Sequence, residues 1–215
     1  MVKTFAIALF PGFQALDVFG PVDILNLLAR TTDSRVADLE IFILAASLDP
    51  VSTAVQDGGF GQSIVPTHTF QNAPSNIDVL LVPGGLGTRN DANITPVIEY
   101  LRTAYPTLKY LLTVCTGSAV AARAGILDGK RATTNKRAWK WAISNGPSVD
   151  WVLKARWVTD GNLWTSSGIS AGIDMMYSFV GEVYGEDMAK ELAIQSEYIR
   201  NLDSTDDPFA DLVEL

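Results

Sequence analysis

Residues 110–119 have the sequence YLLTVCTGSA, the clearest signal of the fold class in this chain. Its first half is an apolar run that predicts a buried β-strand, and the strand leads directly into Cys115. Small residues occupy positions 117–119, and Gly125 is placed to end the short alanine-rich helix that follows. A strand that turns sharply into a helix, with small residues in the turn, is typical of an α/β protein with a nucleophile at that turn.

The rest of the chain alternates short apolar runs with segments of helical periodicity. A helix is expected after the first strand, with Gly20-Pro21 near its start. Near-continuous apolar strands joined by helices indicate a mostly parallel sheet that is covered by helices on both faces. The predicted strands include residues 5–10, 41–46, 79–82 and 110–114, and the predicted helices include residues 96–105, 170–184 and 186–198.

The composition is that of a folded globular chain, since 47% of the 215 residues are hydrophobic and 19% are charged. This length predicts a single domain, residues 1–215. Residues 203–215 hold five acidic and no basic residues and are expected to form an exposed peripheral tail. The formal net charge of −8 argues against nucleic acid and anionic membrane surfaces as partners.

The chain has one cysteine, Cys115, and one histidine, His68. An internal disulfide is excluded, and these two residues cannot form a structural zinc site by themselves. No secretion signal and no membrane-spanning run is recognisable, so a cytoplasmic location with Cys115 as a free thiol is expected. His68 has no carboxylate or cysteine near it in the sequence, and it is interpreted as solvent-facing or locally bonded.

Cys115 is the first candidate catalytic residue, because the carboxyl ends of strands in open α/β sheets are where ligands bind. The amino terminus of the following helix is expected to lower the pKa of the thiol. The alternative is a buried structural cysteine, since free cysteine is among the most buried residue types.

Asp17 is expected in the loop after the first strand, at the same edge of the sheet as Cys115. It would either cap a helix or hold the thiol and transfer a proton. Partial burial beside a thiolate should raise the pKa of this carboxyl group.

Four further residues are candidates for a binding pocket. Gly84 and Gly85 follow the strand at 79–82, either as an ordinary turn or as an anion pocket built from backbone amides. The tripeptide at 133–135 ends a short strand, where Thr134 and Asn135 can add polar side chains to a site.

Several motifs of the chain occur together in one known family. In collinear order from about residue 4 to 200, the chain resembles the ThiJ/PfpI superfamily, and within it the isonitrile (isocyanide) hydratase branch and its fungal relatives. The Cys-Thr-Gly-Ser elbow and the Asp-x-x-Gly-Pro segment are more specific than the Pro-Gly-Gly motif. The shared stretches are LFP at 9–11, LDVFGP at 16–21, VPGG at 82–85, VCTGS at 114–118, AGILDGKRATT at 124–134 and GISAGID at 168–174.

The resemblance implies a flavodoxin-like three-layer sandwich related to class I glutamine amidotransferases, present as a homodimer. It implies Cys115 as the nucleophile, Asp17 as its carboxylic partner and Thr116 beside the nucleophile, with the backbone amides of Gly85 and Thr116 facing the bound group. The implied reaction is hydration of a small-molecule substrate, an isonitrile R–NC, to an N-formamide through a thioimidate. No metal or organic cofactor is implied.

Two positions depart from the wider superfamily. Peptidase-like members have a histidine directly after the cysteine, where this chain has Thr116, and many glyoxalase-like members have a histidine after the Thr-Thr pair, where it has Asn135. An amide cannot act as a general base near neutral pH. Protease activity is therefore disfavoured, and chemistry is expected to depend on a Cys–Asp pair. Two alternatives stay open: a glyoxalase- or deglycase-like enzyme acting on methylglyoxal, and a redox or ligand sensor in which Cys115 is oxidised.

Overall fold

The computed structural model describes residues 1–56 and 58–213. Its strands are β1 (Thr4–Ala8), β2 (Glu40–Ala45), β3 (Val51–Ser52), β4 (Ser63–Ile64), β5 (His68–Thr69), β6 (Val79–Val82), β7 (Tyr110–Thr113), β8 (Arg131–Ala132), β9 (Asp150–Trp151), β10 (Trp157–Asp160) and β11 (Leu163–Ser166). Seven of them form a central sheet in the order β10-β11-β7-β6-β1-β2-β5. All neighbours in this sheet are parallel except the edge pair β10–β11.

The helices form two groups around the sheet. They are α1 (Ala15–Ala29), α2 (Asp91–Ala104), α3 (Gly117–Arg123), α4 (Trp139–Ser144), α5 (Ala171–Tyr184) and α6 (Glu186–Gln195). α1, α5 and α6 contact one another, and α3 contacts both α2 and α4. This arrangement confirms the predicted α/β fold, a mostly parallel sheet with helices on both faces. Within the described residues, no helix is both long enough and apolar enough to cross a membrane.

The central strands place three loops at one edge of the sheet. β1, β6 and β7 are neighbours and parallel, so the loops that follow them lie side by side. Every residue of β1 and β6 is buried, as the apolar runs predict for strands covered on both faces. The loop after β7 contains Cys115, and the loop after β6 contains Gly84 and Gly85.

Helix α1 begins earlier than the sequence predicts. It starts at Ala15, so Asp17 lies in its first turn rather than in the preceding loop, and Pro21 lies inside the helix. Proline lacks an N–H and removes one hydrogen bond from a helix interior. Buried Val18 and Leu28 lie on the face of α1 that packs into the core, and tertiary packing of this kind provides most of a helix's stability.

The acidic tail is less exposed than expected. Most of residues 203–213 are exposed or half-buried, but Asp207 and Ala210 are buried. Oδ2 of Asp207 lies 3.2 Å from Nζ of Lys136, whose side chain is also buried. The same Nζ donates to Oγ1 of Thr133 and to the carbonyl oxygen of Ala155. The expectation of an exposed segment is wrong for these two tail residues, and for Asp207 the reason is that the buried ammonium group of Lys136 requires a charged partner.

Candidate active site

Cys115 lies between the end of β7 and the start of α3, and its backbone has a φ of 57°. A residue with a side chain rarely adopts this left-handed conformation, which stores about 1–3 kcal/mol of strain. Gly117 permits the turn, because a Cβ atom at this position would lie 2.2 Å from the carbonyl oxygen of Val82. The turn is therefore a tight elbow that holds the thiol at the carboxyl end of β7.

Hydrogen bonds from both sides fix the backbone of the elbow. The carbonyl oxygen of Cys115 accepts from Oγ of Ser118 at 3.0 Å and from Oγ1 of Thr134 at 3.1 Å. The N–H of Cys115 points to the carbonyl oxygens of Ser166 and Ser167, both at 3.2 Å. Thr134, predicted to line a pocket, is fully buried, and its hydroxyl holds the backbone of the nucleophile.

Asp17 is fully buried, and its carboxylate turns towards the loop after β6. Oδ2 accepts the backbone N–H of Gly84 at 2.9 Å, and this contact, rather than capping of α1, occupies the side chain. No described residue makes a regular hydrogen bond to the buried Oδ1. Burial raises the pKa of Asp17 to about 7, although the Gly84 N–H and the weak donor Cys115 lower it in part. The expected rise is confirmed.

The pKa of the Cys115 thiol is raised to about 12, and the expected lowering is wrong. Burial is the largest cause and the negative charge of Asp17 the next, while the backbone amides of Thr116 and Ile169 act in the opposite direction. α3 has only seven residues, and the position of the thiol excludes the water that would solvate a thiolate. The resting pair near neutral pH is therefore a protonated thiol beside a carboxyl group that is partly ionised.

Gly84 and Gly85 bring the loop after β6 against the nucleophile. A Cβ atom at Gly84 would lie 2.5 Å from the nitrogen of Thr116 and 2.9 Å from Cβ of Cys115. Gly85 has a φ of 131°, a backbone conformation that favours glycine. Both amides already have partners, since Gly84 donates to Asp17 and Gly85 donates to Oγ1 of Thr116 at 3.1 Å. Binding of a substrate anion by these amides stays a prediction.

Asn135 lies in the wall of a neighbouring cavity. Its Oδ1 accepts a backbone N–H three residues later at 2.9 Å, and a Cβ atom at Gly168 would lie 2.3 Å from its Nδ2. The cavity has a volume of about 460 Å³, and Asn135, Ile169 and Phe209 are among its lining residues. The amide of Ile169 also interacts with the sulfur of Cys115, so one lining residue of the cavity contacts the nucleophile.

His68 lies on the edge strand β5, where it is half-buried. Its Nδ1 is 3.0 Å from Oγ1 of Thr67, and its ring meets the ring of Phe42 edge-on, which confirms a locally bonded histidine. Over residues 1–56 and 58–213, no group of three or more His, Cys, Asp or Glu side chains is arranged to hold a metal ion.

Thr88 and Arg89 were not among the residues predicted from the sequence, whereas Trp141 was expected to face either a partner or the pocket. The hydroxyl of Thr88 donates to the carbonyl oxygen of Gly85 at 2.7 Å and lies 3.2 Å from Oγ1 of Thr116. Nη1 of Arg89 donates to the Thr88 hydroxyl at 2.7 Å, and the guanidinium carbon lies 3.5 Å from the ring centroid of Trp141. In the sequence, a cation shortly after the Gly-Gly turn was the one feature that could have indicated this cluster of side chains.

Comparisons with known proteins agree with the fold. The sequence profile of the DJ-1/PfpI family matches residues 3–182. The isonitrile hydratase of Pseudomonas putida is 35% identical over 192 residues, which are 88% of this chain and 76% of the hydratase. A deglycase of Pyrococcus horikoshii is 29% identical over 117 residues, which are 54% of this chain and 68% of the deglycase. A solved ThiJ/PfpI family protein from Pseudomonas syringae has a TM-score of 0.77 at 30% identity, covering 94% of this chain and 77% of that protein.

Proposed function

The chain belongs to the DJ-1/PfpI family, and from this premise we propose that it is a cysteine-dependent enzyme that hydrates isonitriles to N-formamides. The observation that carries the proposal is the buried carboxyl group of Asp17 beside the buried thiol of Cys115. Similarity to a hydratase over 88% of the chain supports the choice of substrate.

In the first step, ionised Asp17 takes the proton of the Cys115 thiol while Sγ forms a bond with the terminal carbon of R–NC. The protonated carboxyl group then delivers this proton to the same carbon. The product is a thioimidate, R–N=CH–S–Cys, and Asp17 is ionised again. A carboxyl pKa of about 7 suits this exchange, because a group that titrates near the working pH both accepts and donates a proton readily.

In the second step, water is the co-reactant. Its oxygen attacks the thioimidate carbon, one of its protons passes through Asp17 to the nitrogen, and R–NH–CH(OH)–S–Cys forms. The C–S bond then breaks as the hydroxyl proton passes through Asp17 to Sγ, which releases R–NH–CHO and restores the thiol. The sum is R–NC plus water to the formamide, with no redox change and no added cofactor.

The raised pKa of the thiol explains why the reaction needs the carboxyl group of Asp17 as a proton acceptor. A thiol with a pKa of about 12 stores almost no thiolate near neutral pH, so the proton must leave during the attack itself. Asp17 is the carboxyl group whose charge acts on this thiol. The amides of Thr116 and Ile169 offset part of the developing negative charge on sulfur.

The proposal is tested by incubating the protein with cyclohexyl isonitrile and measuring the formamide by chromatography. Cys115→Ala should abolish turnover, and Asp17→Asn should lower it by roughly 10²- to 10⁴-fold, the usual contribution of general acid–base catalysis. His68→Gln serves as a control and should retain wild-type turnover. Intact-mass analysis of Asp17→Asn should show no accumulated isonitrile adduct on Cys115, because the first step also requires this carboxylate. Turnover by Cys115→Ala at the wild-type rate would refute the mechanism.

The two alternatives give different results in the same assay. Turnover of methylglyoxal to lactate without turnover of isonitriles would assign a glyoxalase-like activity, which the amide of Asn135 in the histidine position disfavours. Selective oxidation of Cys115 by dilute peroxide without any turnover would assign a sensor. The raised thiol pKa disfavours a sensor, because peroxide reacts with the thiolate.

We propose further that the protein acts as a homodimer on a small-molecule substrate, as the hydratase branch implies. Leu16 and Phe19 support this proposal, since both are apolar residues of α1 that are over 40% exposed and flank the position of Asp17. Light scattering should give twice the chain mass, and Phe19→Glu should reduce it to the mass of one chain.

A further inference from the structure

Arg89 lies at the edge of the candidate site in a defined orientation. It ends the short 3₁₀ helix Leu86–Arg89, directly after the fully buried Thr88. Its guanidinium carbon lies 3.5 Å from the ring centroid of Trp141, and its Nη1 donates to the Thr88 hydroxyl at 2.7 Å. Stacking on an indole ring and one hydrogen bond together hold the guanidinium plane in place.

Two hydroxyl groups connect this guanidinium to the nucleophile. Oγ1 of Thr88 lies 3.2 Å from Oγ1 of Thr116. A Cβ atom at Gly84 would lie 2.6 Å from Oγ1 of Thr116 and 2.9 Å from Cβ of Cys115, so both side chains border the same small space. The charges of Arg89 and an ionised Cys115 also interact. Arg89 is therefore near the atom that attacks the substrate.

The guanidinium has binding capacity that the described residues do not use. Among the ion pairs formed within residues 1–56 and 58–213, none includes Arg89. Its one side-chain hydrogen bond in this part of the chain is the one to Thr88, although the group has five N–H donors. The planar fork of an arginine matches a carboxylate through two parallel hydrogen bonds.

We propose that Arg89, oriented by Trp141 and Thr88, binds an anionic substituent of the substrate, so that electrophiles with a carboxylate a few bonds from the reacting carbon are preferred. For isonitriles this preference rests on the proposed function, whereas the anion site itself requires only that Cys115 reacts. A positive site of this kind offsets the net charge of −8, which otherwise repels anions.

The anion site is tested without any catalytic turnover by alkylating Cys115 with iodoacetate and with iodoacetamide. Both reagents react with the thiolate and lose iodide, so the ratio of the two rates is independent of the thiolate fraction. Arg89→Gln should lower the iodoacetate-to-iodoacetamide ratio by roughly 3- to 10-fold, as expected for the loss of one nearby charge. Added salt should lower the wild-type ratio in the same direction. At one pH the charge of Asp17 affects the rate ratio of wild type and that of Arg89→Gln equally, so it does not alter the comparison.

Lys140→Gln is the matched control, because Lys140 is an exposed cation on α4, next to Trp141 in the sequence. Its rate ratio should equal that of wild type. Trp141→Leu should lower the ratio less than Arg89→Gln does, since the charge remains while its orientation is lost. An unchanged ratio in a folded Arg89→Gln variant would overturn the proposal, and Arg89→Met provides a second neutral variant should the first fail to fold.

A second measurement concerns the substrate class and compares isocyanoacetate with its methyl ester. Arg89→Gln should lower kcat/KM for the anion by roughly 3- to 10-fold relative to the ester, mainly through KM. Hydration of neither compound by the wild-type protein would count against the proposed function, while the alkylation ratio would still decide the anion site. Hydration of both with an unchanged preference in Arg89→Gln would overturn the anion site alone.

Discussion

The backbone N–H of Gly84 lies 2.9 Å from Oδ2 of Asp17, a carboxyl group with no solvent-exposed surface. The same glycine leaves no room for a Cβ atom beside Cys115 and Thr116. One backbone position therefore contacts both the acid and the nucleophile of the proposed reaction.

Asp17→Asn should change how stability depends on pH. The pKa of Asp17 in the folded protein, about 7, is above the ordinary 3.8, so ionisation of Asp17 destabilises the fold. This destabilisation is absent below pH 3.8 and grows until about pH 7. A shift of this size corresponds to about 4 kcal/mol. Urea unfolding at about pH 4 and pH 8 should show the variant gaining up to this amount relative to wild type. A pH-independent difference between the two proteins would contradict the buried ionisation.

Turnover of an isonitrile should follow the ionisation of Asp17. Because the carboxylate accepts the thiol proton, kcat/KM should rise between about pH 5 and pH 8 with a midpoint near 7. The plateau should extend to high pH, since the thiol itself ionises only near 12. Asp17→Asn should lose the rising limb, and a rise that persists in this variant would assign the pH dependence to another group.

Cys115 should react slowly with neutral alkylating agents. A pKa of about 12 in place of 9.0 lowers the thiolate fraction near neutral pH by roughly 10³-fold relative to an ordinary thiol. Iodoacetamide should therefore modify Cys115 far more slowly than it modifies a cysteine-containing peptide, and denaturation in urea should remove the difference. Rapid modification of the folded protein would show that the dipole of α3 outweighs burial.

Gly84→Ala should damage the site more than the fold. The added methyl group would meet backbone and side-chain atoms of Thr116 and Cys115 at 2.5–2.9 Å, which forces the elbow to shift. We expect a loss of stability of about 1–3 kcal/mol and a loss of most turnover. Gly129→Ala is the control, because nothing lies within 4 Å of the Cβ position of Gly129, which has a positive φ, unlike Gly84. It should lower stability while the turnover of folded protein is retained.

Asp207→Ala should destabilise the protein, since it leaves the ammonium group of Lys136 buried without a counter-charge. The expected loss in the free energy of unfolding is about 3–5 kcal/mol. The double variant Lys136→Met/Asp207→Leu should recover most of this loss, because it removes both charges together. Equal destabilisation by the single and the double variant would mean that packing of the tail, rather than the charge pair, is responsible.

The sequence predicts the elbow and the central sheet well, because apolar runs and small residues are local signals. The prediction for the start of α1 is wrong, since Gly20-Pro21 indicates a helix start while packing of the apolar face determines the real one. The pKa of Cys115 was predicted in the wrong direction because the dipole of a short helix is visible in the sequence, whereas the depth of burial is not.

The other contacts that the sequence does not predict join residues that are far apart in the chain. Arg89 and Trp141 are 52 positions apart, and Lys136 and Asp207 are 71 apart, so no local pattern connects them. Each pair joins a loop beside the nucleophile to a distant segment through a contact that exists only in the folded chain.

The left-handed backbone of Cys115 sets a limit on engineering this protein. Glycine adopts a φ of 57° without strain. Cys115→Gly therefore releases part of the backbone strain of about 1–3 kcal/mol that the cysteine stores, and this release stabilises the fold. A selection for heat resistance alone would favour glycine at this position and discard the nucleophile. Thermostable variants that keep the chemistry must therefore be sought at other positions, with the strained residue held invariant.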